Sequence, residues 1–575
     1  MSKDGKPSAN EGIKDRSNYL RGTIEEGLQD LSTGGLSKDD QQLIKFHGSY
    51  QQDDRDLRAE RRKHKLEKAF SFMIRIRVPG GVSTPRQWIE MDRMASQFGN
   101  ETFKLTTRQA FQLHGVIKTN LKRTIREIND TALDTIAACG DVNRNVMCNA
   151  NPDASSLHSE VLRISQELSN HLTPQTGAYH EIWLEGEKVD SSEEGEEPIY
   201  GKFYLPRKFK IAVAIPPNND VDVYASDLAF IAIANGSGLQ GFNVAVGGGM
   251  GMTHGQEDTY PRVADVIGFV PVDKVVEVAE KVVLVQRDHG DRSNRKHARL
   301  KYTIDDHGVD WFREQVEERL GFKMEEAREF SFSENGDRYG WFENEDGTFN
   351  FTFYVPGGRV QDTAGSKQRT GFLEIARILD GEFRLTGNQN LTIAKISVEQ
   401  RPQVEGLIAE YGLNSLENLT GLRLNSISCV ALPTCGLALA EAERFLPDVI
   451  TGLDEVIEAA GLRHDAITIR MTGCPNGCAR PYIAEIAFVG RSPGKYNVYL
   501  GGGFVGDRLS KLWRVRVKSE EIKDLLKPVI EDYAKSREEG ERFGDFVIRK
   551  GYVKATSNGL DFHSDVVLPE PAAKK

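Results

Sequence analysis

Four of the six cysteines in this 575-residue chain fall in two pairs, Cys429 with Cys435 in "SCVALPTCG" and Cys474 with Cys478 in "GCPNGCAR". Two pairs of thiolates suit a soft metal centre, either zinc or an iron-sulfur cluster. Structural zinc sites favour about two to four residues between paired cysteines, whereas the gaps here are five and three. A cluster with four separate corners accommodates that spacing better, so iron-sulfur is favoured and a zinc-stabilised binding protein is the alternative. Within the tighter pair Pro475 fixes one dihedral and Gly477 frees another, which lets backbone N–H groups point at sulfur. Cys139 and Cys148 belong to neither pair and read as small buried side chains.

The second kind of chemistry is anion binding. In "FSFMIRIRVPGGV" the alternation of a strand puts Met73, Arg75 and Arg77 on one face and Phe72, Ile74, Ile76 and Val78 on the other. In "YLPRKFKIAVAIPP" Lys208 and Lys210 share a face with Phe209, Ile211 and Val213 behind them. Two adjacent ammonium groups repel unless an anion lies between them; an edge strand guarded by lysines is the competing reading. In "RDHGDRSNRKHARLKY" Arg287, Arg292, Arg295, Lys296, Arg299 and Lys301 face only Asp288 and Asp291. That local excess fits a pocket for carboxylates or phosphate, with a solvated helix face as the alternative. Gly501, Gly503 and Gly506 match a dinucleotide fingerprint in spacing, but "DRLSKLW" leaves no room for the helix that would carry the phosphate. This stretch and "AVGGGMGMTHG" read as places where backbone comes close to a large flat ligand.

These residues need a scaffold, and the chain repeats one. "FSFMIRIRVPGGV" (70 to 82) is echoed by "FNFTFYVPGGRV" (349 to 360), and "FKLTTRQAFQLHGV" (103 to 116) by "FRLTGNQNLTIAKI" (383 to 396). A helical stretch lies between the segments of each copy, so each reads as strand, helix, strand. Two such copies predict an α+β architecture with one mixed sheet around a pseudo-two-fold axis. Residues 1 to about 65 read as a charged, exposed arm, and "LEGEKVDSSEEGEEPIYG" (184 to 201) as an exposed loop. With 39% hydrophobic and 28% charged residues the chain folds, and its length calls for several domains. A formal charge of -11 argues against nucleic acid as a partner. No apolar run is long enough for a membrane span or a secretory signal, so a cytoplasmic location is expected.

Taken in order, "FHGSYQQDDRDLRAER", "RIRVPGG", "LTTRQAFQLHG", "DVNRNVMC", "YLPRKFK", "GGGMGMTHG", "NSISCVALPTCGLALAEAERFLP" and "TGCPNGCARP" make the chain resemble the sulfite and nitrite reductase family over nearly its whole length. The resemblance implies a 4Fe-4S cluster held by Cys429, Cys435, Cys474 and Cys478, with the Cys478 thiolate also the axial ligand of a siroheme iron. It places Arg75, Arg144, Lys208 and Lys210 around sulfite, and Thr107, Arg108, Gln112, His114, Arg295, Lys296, Arg299 and Lys301 around the macrocycle. The reaction implied is six-electron reduction of sulfite to sulfide in sulfate assimilation. Electrons are expected from a separate NADPH-oxidising flavoprotein carrying FAD and FMN, with the arm as its docking element, since no flavin or nicotinamide domain is recognised. A ferredoxin-dependent sulfite or nitrite reductase is the alternative. The domains implied are an arm (1–65), a first sheet half (66–136), a middle α/β domain that meets siroheme and substrate (137–340), a second sheet half (341–416) and a C-terminal cluster domain (417–575).

Overall fold

The computed structural model describes residues 5–567 apart from 176–182, 185–186, 189–195, 237, 414–415 and 557. Both repeat copies form, and each contains more strands than the sequence pattern marks. In the first, Phe70–Ile76 leads through the turn Pro79–Gly81 into the helix Pro85–Gln97 and then a hairpin of Phe103–Leu105 and Phe111–Val116. In the second, Phe349–Phe353, Pro356–Gly358, Gln368–Ile378, Glu382–Leu385 and Leu391–Ile396 repeat the order. The Leu-Thr pairs of the echoed segments therefore end a strand and open a tight turn. Gly80 and Gly357 take the same left-handed conformation (φ 66° and 56°), which explains the repeated Pro-Gly-Gly. The first helix starts on a capping box, with Thr84 accepting from the Gln87 amide and the Gln87 side chain accepting from that of Thr84.

The copies do not merge into one mixed sheet as expected. They build two five-stranded antiparallel sheets that exchange edges: Val82–Ser83 pairs with Glu382–Leu385 in the second, and Arg359–Val360 pairs with Phe103–Leu105 in the first. Each Pro-Gly-Gly turn throws its chain across to the other sheet. The two halves share one core, in which Trp88 stacks on Phe383 at 4.7 Å and meets Phe103, Phe111 and Phe372 edge-on.

Residues 211–271 form a four-stranded sheet in the order Asp265–Pro271, Gly238–Val246, Leu228–Asn235, Ile211–Ala214, backed by the helices Ser156–His171 and Val275–His289. The C-terminal sheet runs Ser426–Ser428, Ile469–Thr472, Ile486–Ser492, Lys495–Leu500, Lys511–Lys518. Its first three strands are parallel, so the loops that leave Ser428 and Thr472 emerge side by side at the same end.

The charged arm is not a solvated extension. Its strand Ser49–Asp53 adds to Phe70–Ile76, with Tyr50 opposite Met73. Ile13, Leu20, Leu43 and Phe46 enter the core of the middle region, and Leu36 and Ile44 that of the repeat. Lys14 pairs with Glu11 at 2.7 Å and Asp141 at 3.3 Å, all three buried. The few apolar residues of this segment are too widely spaced to show a period, and most of them are buried, Leu31 and Leu57 being exposed. Much of the expected loop at 184 to 201 lies outside the described residues, but Tyr200 at its end is buried, donating to the Leu172 carbonyl at 2.6 Å. No described helix is long and apolar enough to cross a membrane.

Candidate functional site

The two cysteine pairs come together because their loops leave adjacent parallel strands. The Cys429 N–H donates to the Met471 carbonyl at 3.2 Å, and the Leu439 N–H to that of Gly473 at 2.7 Å, tying one loop to the other. A Cβ on Gly473 would lie 2.6 Å from both Ala431 Cβ and the Ala440 carbonyl, so glycine is required where the loops touch. The Gly473 N–H donates to Cys429 Sγ at 3.3 Å and the Asn476 side chain to Cys474 Sγ at 3.4 Å. Burial, and then the charge of Cys478, push the Cys429 and Cys435 thiols up and that of Cys474 to about 12. All four sulfurs thus feel one another, yet among the described residues no three metal-ligating side chains converge on the point a single ion would occupy. Three buried hydroxyls without partners, Ser428, Thr434 and Thr472, flank the cysteines, as donors to cluster sulfur would.

Cys478 faces a concentration of positive charge. Lys208 and Lys210 sit in the extended lead-in to the strand Ile211–Ala214, on either side of Phe209, which pairs with Asn143. Neither ammonium group has a hydrogen-bond or carboxylate partner among the described residues. Burial, then Arg207 and Arg299, bring Lys208 down to about 7, and burial, then Lys208 and Arg108, hold Lys210 well below its ordinary value; Cys478 opposes both shifts. Arg108 donates to the carbonyls of Asn145 (2.6 Å) and Ile211 (2.9 Å) but leaves its buried Nε without a partner. Burial and Arg480 lower it to about 9. A polyanionic ligand answers this arrangement: unpaired cations on one side and a free thiol opposite.

Arg75 lies across the strand pair from Gln112, whose amide oxygen accepts from Arg75 Nη2 and Nε (2.5 and 2.8 Å) while its nitrogen donates to His114 Nε2 at 3.3 Å. At the same place in the second copy Thr352 and Thr392 bond each other at 2.8 Å. The cationic substitution is thus confined to one half. Arg77, two residues on, is drawn off to Asp134. Arg144 donates to the Gly140 carbonyl at 2.8 Å. Thr107 reaches the bend directly, its hydroxyl donating to the Cys478 carbonyl at 3.0 Å.

The basic stretch at 287 to 302 behaves differently from the expectation. Arg292 pairs with Glu11, Arg295 with Asp141 and Arg299 with Asp227, the last through three contacts of 2.8 to 3.0 Å. Lys301 is buried and spends its ammonium on the carbonyls of Gly249, Gly251 and Tyr260. Lys296 is exposed. Arg292, Arg295 and Arg299 are thus paired and Lys301 is bound to carbonyls, while the charge of Arg299 still acts on Lys208 and Lys210. In the glycine-rich stretches a Cβ on Gly248 would meet the Tyr224 carbonyl at 2.2 Å, on Gly477 that of Met250 at 2.5 Å, and on Gly502 that of Ala484 at 2.3 Å. At those three positions neighbouring backbone requires glycine.

Sequence reasoning passed over Tyr50, Arg207 and the Asp222 ion pairs. Tyr50 lies under Arg75, with the guanidinium carbon 6.0 Å from the ring centre, and under Lys45 at 5.5 Å. Its signal was present in "FHGSYQQDDRD", but nothing there says that the arm adds a strand beside Arg75. Arg207 adjoins the lysine pair in sequence and could have been taken with it.

The sequence matches the nitrite and sulphite reductase 4Fe-4S domain over residues 165–324 and 467–558, and the nitrite/sulfite reductase ferredoxin-like half domain over 64–130 and 342–411. It is 57% identical over 561 residues to the sulfite reductase [NADPH] hemoprotein beta-component of Staphylococcus haemolyticus, covering 98% of each chain. It is 58% identical to the protein of that name from a Paenibacillus species, covering 97% of this chain and 98% of that one. Among solved structures, the Mycobacterium tuberculosis NirA protein superposes with a TM-score of 0.77 at 26% identity, over 95% of this chain and 97% of that one.

Proposed function

This chain belongs to the nitrite and sulfite reductase family, and we propose that it reduces sulfite to sulfide, using Cys429, Cys435, Cys474 and Cys478 to hold a 4Fe-4S cluster and Cys478 as a ligand shared with siroheme. When bound, the siroheme supplies the iron at which sulfite is reduced and the cluster supplies electrons to it. The reaction consumes six electrons and releases the three sulfite oxygens as water, so the chain must deliver protons to a bound anion. Lys208 and Lys210, with Arg75 and Arg144, attract that anion and donate hydrogen bonds to its oxygens as charge builds there. Lys208, at about 7, is matched to releasing and regaining a proton near neutral pH. Gln112 keeps Arg75 aimed, and Thr107, bonded to the Cys478 carbonyl, and Arg108, through its free Nε, would hold the macrocycle.

The observation that carries this reading is the pair of unpartnered ammonium groups within the field of Cys478. Purified protein should show siroheme and iron-sulfur absorption and reduce sulfite with a chemical reductant. Lys208→Ala should retain that absorption and lose turnover; full turnover in the variant would reduce the lysines to an edge guard.

The name of the relatives as beta-components points to a separate partner. We place NADPH oxidation on a flavoprotein with FAD and FMN, and its docking on the arm where it meets the cluster loop. There Arg55 donates to the carbonyls of Ala438 (2.5 Å) and Cys435 (3.3 Å), and the exposed basic helix Arg58–Lys63 follows. The unbridged state of all six cysteines fits a reducing cytoplasm. The domain limits given above are part of the same proposal.

A further inference from the structure

Arg480 stands two residues beyond Cys478 and its guanidinium is fully used. Nη1 donates to the Thr107 carbonyl at 2.6 Å, Nη2 to the Gly387 carbonyl at 2.8 Å, and Nε to Asp222. Thr107 and Gly387 hold the same place in the two repeat copies. Each follows a strand-ending Leu-Thr, and each lies in a turn closed by that threonine, whose hydroxyl accepts from Ala110 N or Asn390 N at 3.1 Å. Each turn also carries a glutamine in the left-handed conformation, Gln109 (φ 51°) and Gln389 (φ 71°). One planar fork therefore straddles the boundary between the copies and grips both equivalent turns.

The copies differ in what they do next. The Thr107 hydroxyl takes the Cys478 carbonyl, whereas Gly387 has no side chain, and a Cβ there would lie 3.0 Å from both the Asp220 carbonyl and Met147 Cε. Asp222 closes the remaining side and is itself held by Arg470 at 2.7 Å, from the strand that leads to Cys474. Arg470 also donates to the Arg480 carbonyl at 3.1 Å. Arg480 (φ 52°) and Asp222 (φ 49°) are both left-handed without being glycine, a conformation that persists only where its surroundings over-determine it.

We propose that Arg480 is the positioning residue for the Cys478 thiolate, fixing its bend against both halves of the repeat at once. This rests on the reading of Cys478 as the shared ligand. Lysine does not replace the fork, because one ammonium nitrogen cannot reproduce three spaced, coplanar nitrogens that meet Thr107, Gly387 and Asp222 separately.

The test uses the cofactor-loaded protein and compares wild type with Arg480→Lys and Gly387→Ala, measuring iron and siroheme content, the Mössbauer signature of cluster-siroheme coupling, and kcat and KM with a chemical reductant. Arg480→Lys should load both cofactors, show weakened or heterogeneous coupling and lose kcat on the order of 10²-fold, with KM for sulfite within about twofold. Gly387→Ala displaces one turn and leaves the fork, so a smaller change in the same signature is expected even where Arg480→Lys fails to load. Coupled spectra and unchanged kcat in the variants, beside a coupled wild type, would overturn the role of Arg480 alone. An uncoupled wild type would overturn the shared ligand, and this proposal with it.

Discussion

Two ammonium groups held side by side without a counter-ion make a site that waits for an anion. Changing Lys208 or Lys210 to Ala should leave cofactor content intact and lower kcat/KM for sulfite by about 10² or more, the scale on which a single preorganised donor contributes; steady-state assays on variants of verified iron content measure it. The lowered position of Lys208 also sets a pH dependence. The group is charged below about 7 and neutral above, so its share of sulfite affinity is present at low pH and fades as pH rises through that value. The ratio of KM in Lys208→Ala to KM in wild type should therefore fall towards one above neutrality, and in that ratio the ionisation of sulfite itself cancels. At this scale the cysteines were readable because soft donors are rare and clustered, and Arg75 and the lysines because strand alternation aims them. Arg295, Arg299 and Lys301 were not. Their partners, Asp141, Asp227 and the carbonyls of 249, 251 and 260, come from distant chain, and a charge excess along sequence says nothing about them.

Elements carry the site through the edge exchange. Arg359, on a strand of two residues borrowed by the first sheet, and Lys104, opposite it, both bind Glu443, whose N–H donates to the Cys429 carbonyl at 3.1 Å. The buried carboxylate thus ties both repeat copies to the cluster loop. Burial would raise its pKa, but Lys104 and then Arg359 outweigh that and hold it at about 2. A carboxylate lowered in the folded state stabilises fully above its unfolded value of 4.5 and loses that contribution as pH falls towards about 2. Glu443→Gln strands two buried cations and should cost about 3–5 kcal/mol, read as a lowered unfolding midpoint near neutral pH. The gap between variant and wild type should narrow in acid. The repeat itself was readable from Pro-Gly-Gly and Leu-Thr, whereas the exchange was not, because strands of two residues, Val82–Ser83 and Arg359–Val360, have no periodicity to read.

Across the whole molecule the bend at 474–480 is where the repeat copies, the middle sheet and the C-terminal sheet meet, and the arm closes over the neighbouring cluster loop. The arm's burial escaped sequence reasoning because its apolar residues are sparse, and only the assembled fold shows Ile13, Leu36 and Phe46 going into two different cores. A Cβ at Gly501, Gly503 or Gly506 would meet Val553, Asp507 or Asp222. If NADPH oxidation belongs to a separate flavoprotein, the chain alone should not oxidise NADPH. Adding a flavoprotein reductase should start NADPH consumption coupled to sulfide release, followed by absorbance. The most direct measurement is Mössbauer spectroscopy of ⁵⁷Fe-enriched protein carrying both centres. If Cys478 is shared, the cluster will show magnetic splitting induced by the siroheme iron, and it will disappear in Cys478→Ser; a fully loaded wild type whose two centres behave independently would contradict the shared thiolate.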